Sequence, residues 1–155
     1  MPAQQWHLSQ INVATLRHPF DAPETAEFVA ALDEINARAE DSDGFVWRLR
    51  DEAGQSSSYV EIPGRASELE IVNYSVWRDF DALRTFMYRT AHVDFLRRRN
   101  EWFELSPVLT AACWWLPAGD VDSLAVAYGR LLQLRTHGAS DRAWPLRSPR
   151  AAPPS

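Results

Sequence analysis

The amino-acid sequence predicts an α+β fold of ferredoxin-like β-α-β-β-α-β order, with an antiparallel sheet and an extra C-terminal helix. Three observations predict it. Strand-like segments recur at four separated places along the chain. Helix-length segments with apolar stripes separate the first strand from the second and the third from the fourth, and another follows the last strand. The chain has 155 residues, 46% hydrophobic and 24% charged, which suits one domain with its own core.

The elements follow in order. Trp6 to Ala14 alternates, with Leu8, Gln10, Asn12 and Ala14 on one face and His7, Ser9, Ile11 and Val13 on the other. After a Pro19–Pro23 turn, a helix is predicted from about residue 22 to residue 38. Phe28, Leu32 and Ile35 form its stripe, and Glu24 and Glu27 stand at its positive N-terminal end. Phe45 to Leu49 is the second strand, with a short strand possible at Ser58 to Ile62. Leu69 to Trp77 is the third, with Asn73, Ser75 and Trp77 sharing a face. Asp79 caps a second helix that continues, with a kink allowed, to about Trp102. Val108 to Leu116 is the fourth strand. Asp120 is then positioned to cap a third helix ending near Thr136, with Gly138 as its stop. Helices on one side of such a sheet leave an outer face, where Ile11, Val13, Val46 and Trp115 are candidates. A second copy packed sheet to sheet would cover it. The expected organisation is a domain over residues 1–146 and a disordered Pro-rich tail over 147–155.

Composition removes several function classes. The net charge of −5 argues against an electrostatic nucleic-acid binder. All sixteen cationic residues are Arg, so Schiff-base lysine chemistry is excluded. The single cysteine, Cys113, makes no internal disulfide and fits a reducing compartment. No basic and apolar leader and no membrane-length apolar run is visible, so the expected location is cytoplasmic. Phosphate-cradling glycine loops, zinc-ligand spacings and serine-hydrolase elbows are absent from the sequence.

The densest chemistry lies between Phe86 and Phe103. Tyr88 and His92 are helical neighbours, and Arg99 and Trp102 continue the stripe. If this stripe faces the sheet, it meets Gln10 and Asn12 of the first strand and Asn73 and Trp77 of the third, with Trp47 as a further aromatic wall. Polar groups directed into an interior gap need partners, or else hold a ligand. Each also has a plainer reading: a satisfied core histidine, a structural tyrosine hydroxyl, a solvated arginine run or simple tryptophan packing.

The segments HLSQINVA (7–14), GFVWRL (44–49), IVNYSVW (71–77), FMYRTAHVDFLRRRNEWF (86–103) and WWLPAG (114–119) resemble an uncharacterised bacterial family, domain of unknown function 3291. It is placed in the dimeric α+β-barrel superfamily of antibiotic-biosynthesis-monooxygenase-like proteins. The resemblance implies a homodimer through sheet faces and a site between sheet and helices. Its recurrent polar positions fall on Asn12, Arg48, Asn73, Tyr88, His92, Arg99 and Trp102. One departure stands out: Asp120 occupies a position where the family usually has His. The family has no agreed reaction to transfer; taken with the residues above, the expected function is a cofactor-independent monooxygenase or cyclase/isomerase acting on an aromatic or polyketide-like substrate. His92, Tyr88, Arg99 and Asn73 would be catalytic, and Gln10, Asn12, Trp47, Arg48, Trp77 and Trp102 would bind substrate. The alternatives are a non-catalytic ligand-binding protein and a haem enzyme with His92 as axial ligand.

Overall fold

The structure, a computed structural model, describes residues 2–51, 53–91 and 97–155. Four strands, β1 (Trp6–Thr15), β2 (Phe45–Arg48), β3 (Glu70–Trp77) and β4 (Ala111–Pro117), form one sheet in the order β2-β3-β1-β4. All three pairings are antiparallel. Because β3 lies between β1 and β2, the two strands joined by helix α1 (Ala26–Glu40) run parallel without touching. This is the split arrangement that the element order predicts. Phe80–Ala91 forms α2, Arg99–Trp102 a single turn α3, and Leu124–His137 the C-terminal helix α4.

Strand register sorts the side chains onto two faces. Leu8 pairs with Trp77 and Trp115, Gln10 with Ser75 and Cys113, and Asn12 with Asn73 and Ala111. These residues face α1 and α2. Ala39 of α1 and Ala82 and Leu83 of α2 cluster with Leu8, Trp77 and Cys113 at one end of this face. At its other end Phe28 and Leu32 of α1 cluster with Leu16 and Trp102. Gly44 ends the α1–β2 turn at φ 83°, and a Cβ there would stand 2.5 Å from the Ala82 Cβ. Glycine therefore serves both the backbone angle and the approach of α2.

The opposite face carries Ile11, Val13, Val72, Tyr74, Ala112 and Trp114. Here α4 lays Ala127, Tyr128, Leu131 and Leu134 against it. The cover that the sequence pattern assigns to a second copy is thus provided, over this region, by the chain's own last helix. Trp115 is not on this face: it pairs with Leu8 and packs toward α2, and its Nε1–H donates to the Arg150 carbonyl at 2.9 Å.

One local expectation holds and two change. Asp79 does cap α2, accepting from the Ala82 N–H at 2.8 Å. Asp120 does not cap α4; Ser123 does, its Oγ accepting from the Val126 N–H. The loop stays extended to that point because Asp122 is held by Trp114 and Arg130. Ser57–Tyr59 is a 3-10 turn rather than part of a short strand. After α4, Trp144 exchanges both backbone hydrogen bonds with Cys113 and so extends the outer edge of β4.

Candidate functional site

Between the two apolar clusters on the α1–α2 side, the floor of the sheet is polar. Gln10 lies at its centre, 4% exposed. Its Nε2 donates to Asn73 Oδ1 at 2.8 Å and to Ser75 Oγ at 2.9 Å. Its Oε1 accepts from Asn12 Nδ2 at 3.1 Å. Trp77 Nε1–H donates to the same Ser75 Oγ at 2.9 Å. The alternation of β1 and β3 puts these four polar side chains on one face, and the antiparallel register brings them side by side.

This network has a direction. Both Gln10 N–H groups are used, and Asn73 accepts through Oδ1, so its Nδ2 is the end left to reach outward. Asn73 is exposed although β3 is an interior strand, which marks an opening above the strip. Trp77 stacks on Phe86 at 5.1 Å and meets Phe45 edge-on at 5.6 Å, forming an aromatic wall at one end. Trp102 and Phe28, with ring centres 5.9 Å apart, form the other. Arg48 pairs with Ser75 in register and so shares this face, but its guanidinium is held by Glu40 at 2.6 Å, with Nη1 directed at the Gln55 carbonyl. Two surface hollows, about 280 Å³ beside Glu61–Glu68 and about 110 Å³ among Asp43, Arg78 and Phe86, are not lined by the strip.

Asn36 belongs with this group, although its residue type alone did not mark it. It lies on the inner stripe of α1, 8% exposed, and its Nδ2 has no hydrogen-bond partner among the described residues. The signal was available in the sequence. Phe28, Leu32 and Asn36 are successive steps of four, so a polar residue sits on an apolar stripe.

The predicted residues separate into three groups. Gln10, Asn12, Asn73, Arg48 and Trp77 come together on the helix-facing side, with Trp102 at its margin. Three others do not join them. Trp47 lies on the α4 side, pairing with Val76 and meeting Tyr74 edge-on at 5.1 Å. A register shift between Phe45 and Trp47 puts them on opposite faces. Tyr88 is 67% exposed, because α2 turns Ala82, Leu83, Phe86 and Thr90 inward instead. Arg99 is exposed too. His92, the candidate acid/base and the axial ligand of the haem alternative, lies outside the described residues. Among the described residues, no group of three or more His, Cys, Asp or Glu side chains could hold a metal ion.

On the α4 side, the polar groups of Tyr74, Trp114, Asp122, Tyr128 and Arg130 are paired within the fold, while His7 Nδ1 and Ser9 Oγ of β1 have no partner among the described residues. Tyr74 O–H donates to the Asp122 carbonyl at 2.9 Å, and Asp122 Oδ2 accepts from Trp114 Nε1 and Arg130 Nε. Burial, then the nearby Asp122 charge, pushes the Tyr74 phenol well above its ordinary range. Tyr128 O–H donates to Glu70 at 2.7 Å, and burial first, then this bond, raises the phenol to about 12. Burial alone raises the Cys113 thiol to about 12, so the thiolate needed for nucleophilic or redox chemistry is suppressed.

A family model, described as domain of unknown function (DUF3291), matches residues 7–155. No curated protein matches the chain. Among solved structures, SnoaB, a cofactor-independent oxygenase from Streptomyces nogalater, is similar with a TM-score of 0.40 and 22% identity, over 74% of this chain and 95% of that one. No described helix is long and apolar enough to cross a membrane.

Proposed function

We propose that the chain, which belongs to the family described as domain of unknown function DUF3291, is a small-molecule enzyme acting on an aromatic or polyketide-like substrate in the gap between the sheet and α1–α2. The observation that carries this reading is the oriented amide strip of Gln10, Asn12, Asn73 and Ser75, set between aromatic walls and open at Asn73. Apolar walls with a few convergent polar groups are the usual make-up of a small-molecule site. An unpaired buried donor costs about 1–3 kcal/mol, so the buried Asn36 Nδ2 beside the strip suits a ligand acceptor better than a purely structural role.

The chemistry follows from the donor set. Asn73 Nδ2 would hold a substrate oxygen while the rings lie against Phe86, which is backed by the buried Trp77. Neutral donors fixed in a partly dry gap stabilise negative charge that develops on such an oxygen, as when a ketone becomes an enolate or a phenol a phenolate. His92 is proposed to take the proton, since an imidazole titrates near neutral pH. The proposed reaction is of the cofactor-independent monooxygenase or cyclase/isomerase type, both of which can begin at that anion.

The test is incubation with a panel of polycyclic aromatic ketones and phenols, with products followed by mass spectrometry. Conversion should vanish in His92→Ala while circular dichroism stays unchanged. Undiminished turnover in that variant would remove His92 from the mechanism. Binding without any product would instead make the protein a non-catalytic carrier, a reading favoured by the strip's own groups, which are neutral amides and a hydroxyl. The homodimer implied by the family resemblance would have to form with α4 already seated on the outer face, and sedimentation equilibrium reads its mass.

A further inference from the structure

We infer that Asn36 is a specificity-determining contact of this site, and that the site selects a fused-ring compound bearing a neutral carbonyl oxygen over its hydrocarbon or carboxylate counterpart. The inference rests on the reading above of the sheet–helix gap as a small-molecule site.

Position comes first. One turn before Asn36, Leu32 packs with Leu16 and Trp102; about one turn after it, Ala39 packs with Leu8 and Trp77. On the sheet beneath, Gln10 and Asn12 lie between Leu8 and Leu16, and Asn73 and Ser75 lie between Ile71 and Trp77. Asn36 therefore stands over the polar strip. The other buried polar atoms without partners among the described residues are elsewhere. His7 and Ser9 face the α4 side, Trp6 starts β1, and Trp144 sits in the apolar cluster with Leu8 and Cys113.

Donor and acceptor capacity then defines the occupant. Gln10 uses both N–H groups and receives Asn12 at its oxygen; Ser75 Oγ already accepts two bonds; Asn73 Oδ1 already accepts one. The capacity left toward the gap is chiefly N–H, on Asn73 Nδ2, Asn36 Nδ2 and the second hydrogen of Asn12 Nδ2, with Asn12 Oδ1 and Asn36 Oδ1 as acceptors. A ketone oxygen, an acceptor with two lone pairs and no hydrogen, complements amide donors offered by the sheet and by α1. A hydrocarbon would leave Asn36 unpaired. A carboxylate would enter with a charge that the strip does not match, because Arg48 is committed to Glu40.

The experiment titrates the full chain with 1-tetralone, tetralin and tetralin-1-carboxylate, following tryptophan fluorescence, since Trp77 borders the strip. The native chain should bind the ketone about three- to tenfold more tightly than the hydrocarbon, the worth of one hydrogen bond. Asn36→Leu, similar in volume, should bring the ketone down to the hydrocarbon's affinity while leaving the thermal midpoint equal or higher, because an unpaired buried amide has been removed. Asn36→Ala, measured in parallel, should lose the same preference. A ketone preference that survives both substitutions would overturn the inference, as would tightest binding of the carboxylate or marked destabilisation of both variants. If none of the three probes binds, or if Gln10→Leu leaves all three affinities unchanged, the small-molecule reading of the gap itself fails, a result distinct from loss of the ketone preference alone.

Discussion

On the α4 side of the sheet, Tyr74, Trp114, Asp122 and Arg130 direct their hydrogen bonds at one another, and Tyr128 closes on Glu70. On the α1–α2 side, Gln10 gathers Asn12, Asn73 and Ser75 into a network that still leaves N–H groups over, with Asn36 unpaired above it. Both faces of one sheet are built from the same alternating strands, yet the polar groups around Tyr74 and Tyr128 close on one another, with His7 and Ser9 of β1 left unpaired on that face, while the other face leaves amide N–H groups over. Closed networks hold elements in place, and partly open ones cost stability unless something else fills them. The contrast fits the proposed division, with α4 as architecture and the opposite gap as the binding site.

The largest expected effect tests the first half of that assignment. Leu131 is fully buried between α4 and the sheet. Leu131→Ala should cost about 2–5 kcal/mol in urea unfolding, as buried leucine truncations do. Ligand affinity of the remaining folded protein should stay within a factor of about two. A cost under about 1 kcal/mol would mean that α4 is not the structural cover of this face. A smaller effect tests the second half. Gln10→Leu removes the hub that orients both Asn12 and Asn73, so affinity for an aromatic ketone should fall about tenfold, roughly 1.4 kcal/mol. Stability should change by no more than about 1–2 kcal/mol, because lost hydrogen bonds are offset by removal of a buried amide. Equal losses of affinity in Leu131→Ala and Gln10→Leu would erase the distinction between the faces.

Much of this division was legible in the sequence, and its failures have physical causes. Period-two alternation assigned Gln10 and Asn12 to one face of β1, and Asn73, Ser75 and Trp77 to one face of β3, as the register shows. Trp47 lies on the α4 side because one register shift in β2 flips every later side chain, and no residue type between Phe45 and Trp47 announces it. The four-residue spacing of Tyr88 and His92 says only that the two share a helix row, not which way the row faces. The row holding Ala82, Leu83 and Phe86 buries more apolar surface and faces the core. Asn36 is hidden for the opposite reason: the apolar members of its stripe dominate the periodicity, and one amide among them leaves that pattern intact.

The smallest effect concerns pH and touches both faces. Burial raises Cys113, on the helix side, from the ordinary 9.0 to about 12, and burial with Glu70 raises Tyr128, on the α4 side, from 10.0 to about 12. A folded-state pKa above the unfolded value means that folding favours the protonated form. This contribution is full below about pH 9 and declines as pH rises toward 12. The urea midpoint should therefore hold steady up to about pH 9 and then fall. Cys113→Ala should remove part of that slope, and Tyr128→Phe should remove the share that belongs to the α4 face while leaving the Glu70 carboxylate without its donor. The Cys113 thiol of the native chain should also resist a water-soluble thiol reagent at pH 8 until urea unfolds the protein. Rapid labelling in native buffer, or a midpoint that stays flat to pH 11, would show that water reaches these groups and that neither face is as closed as its packing implies.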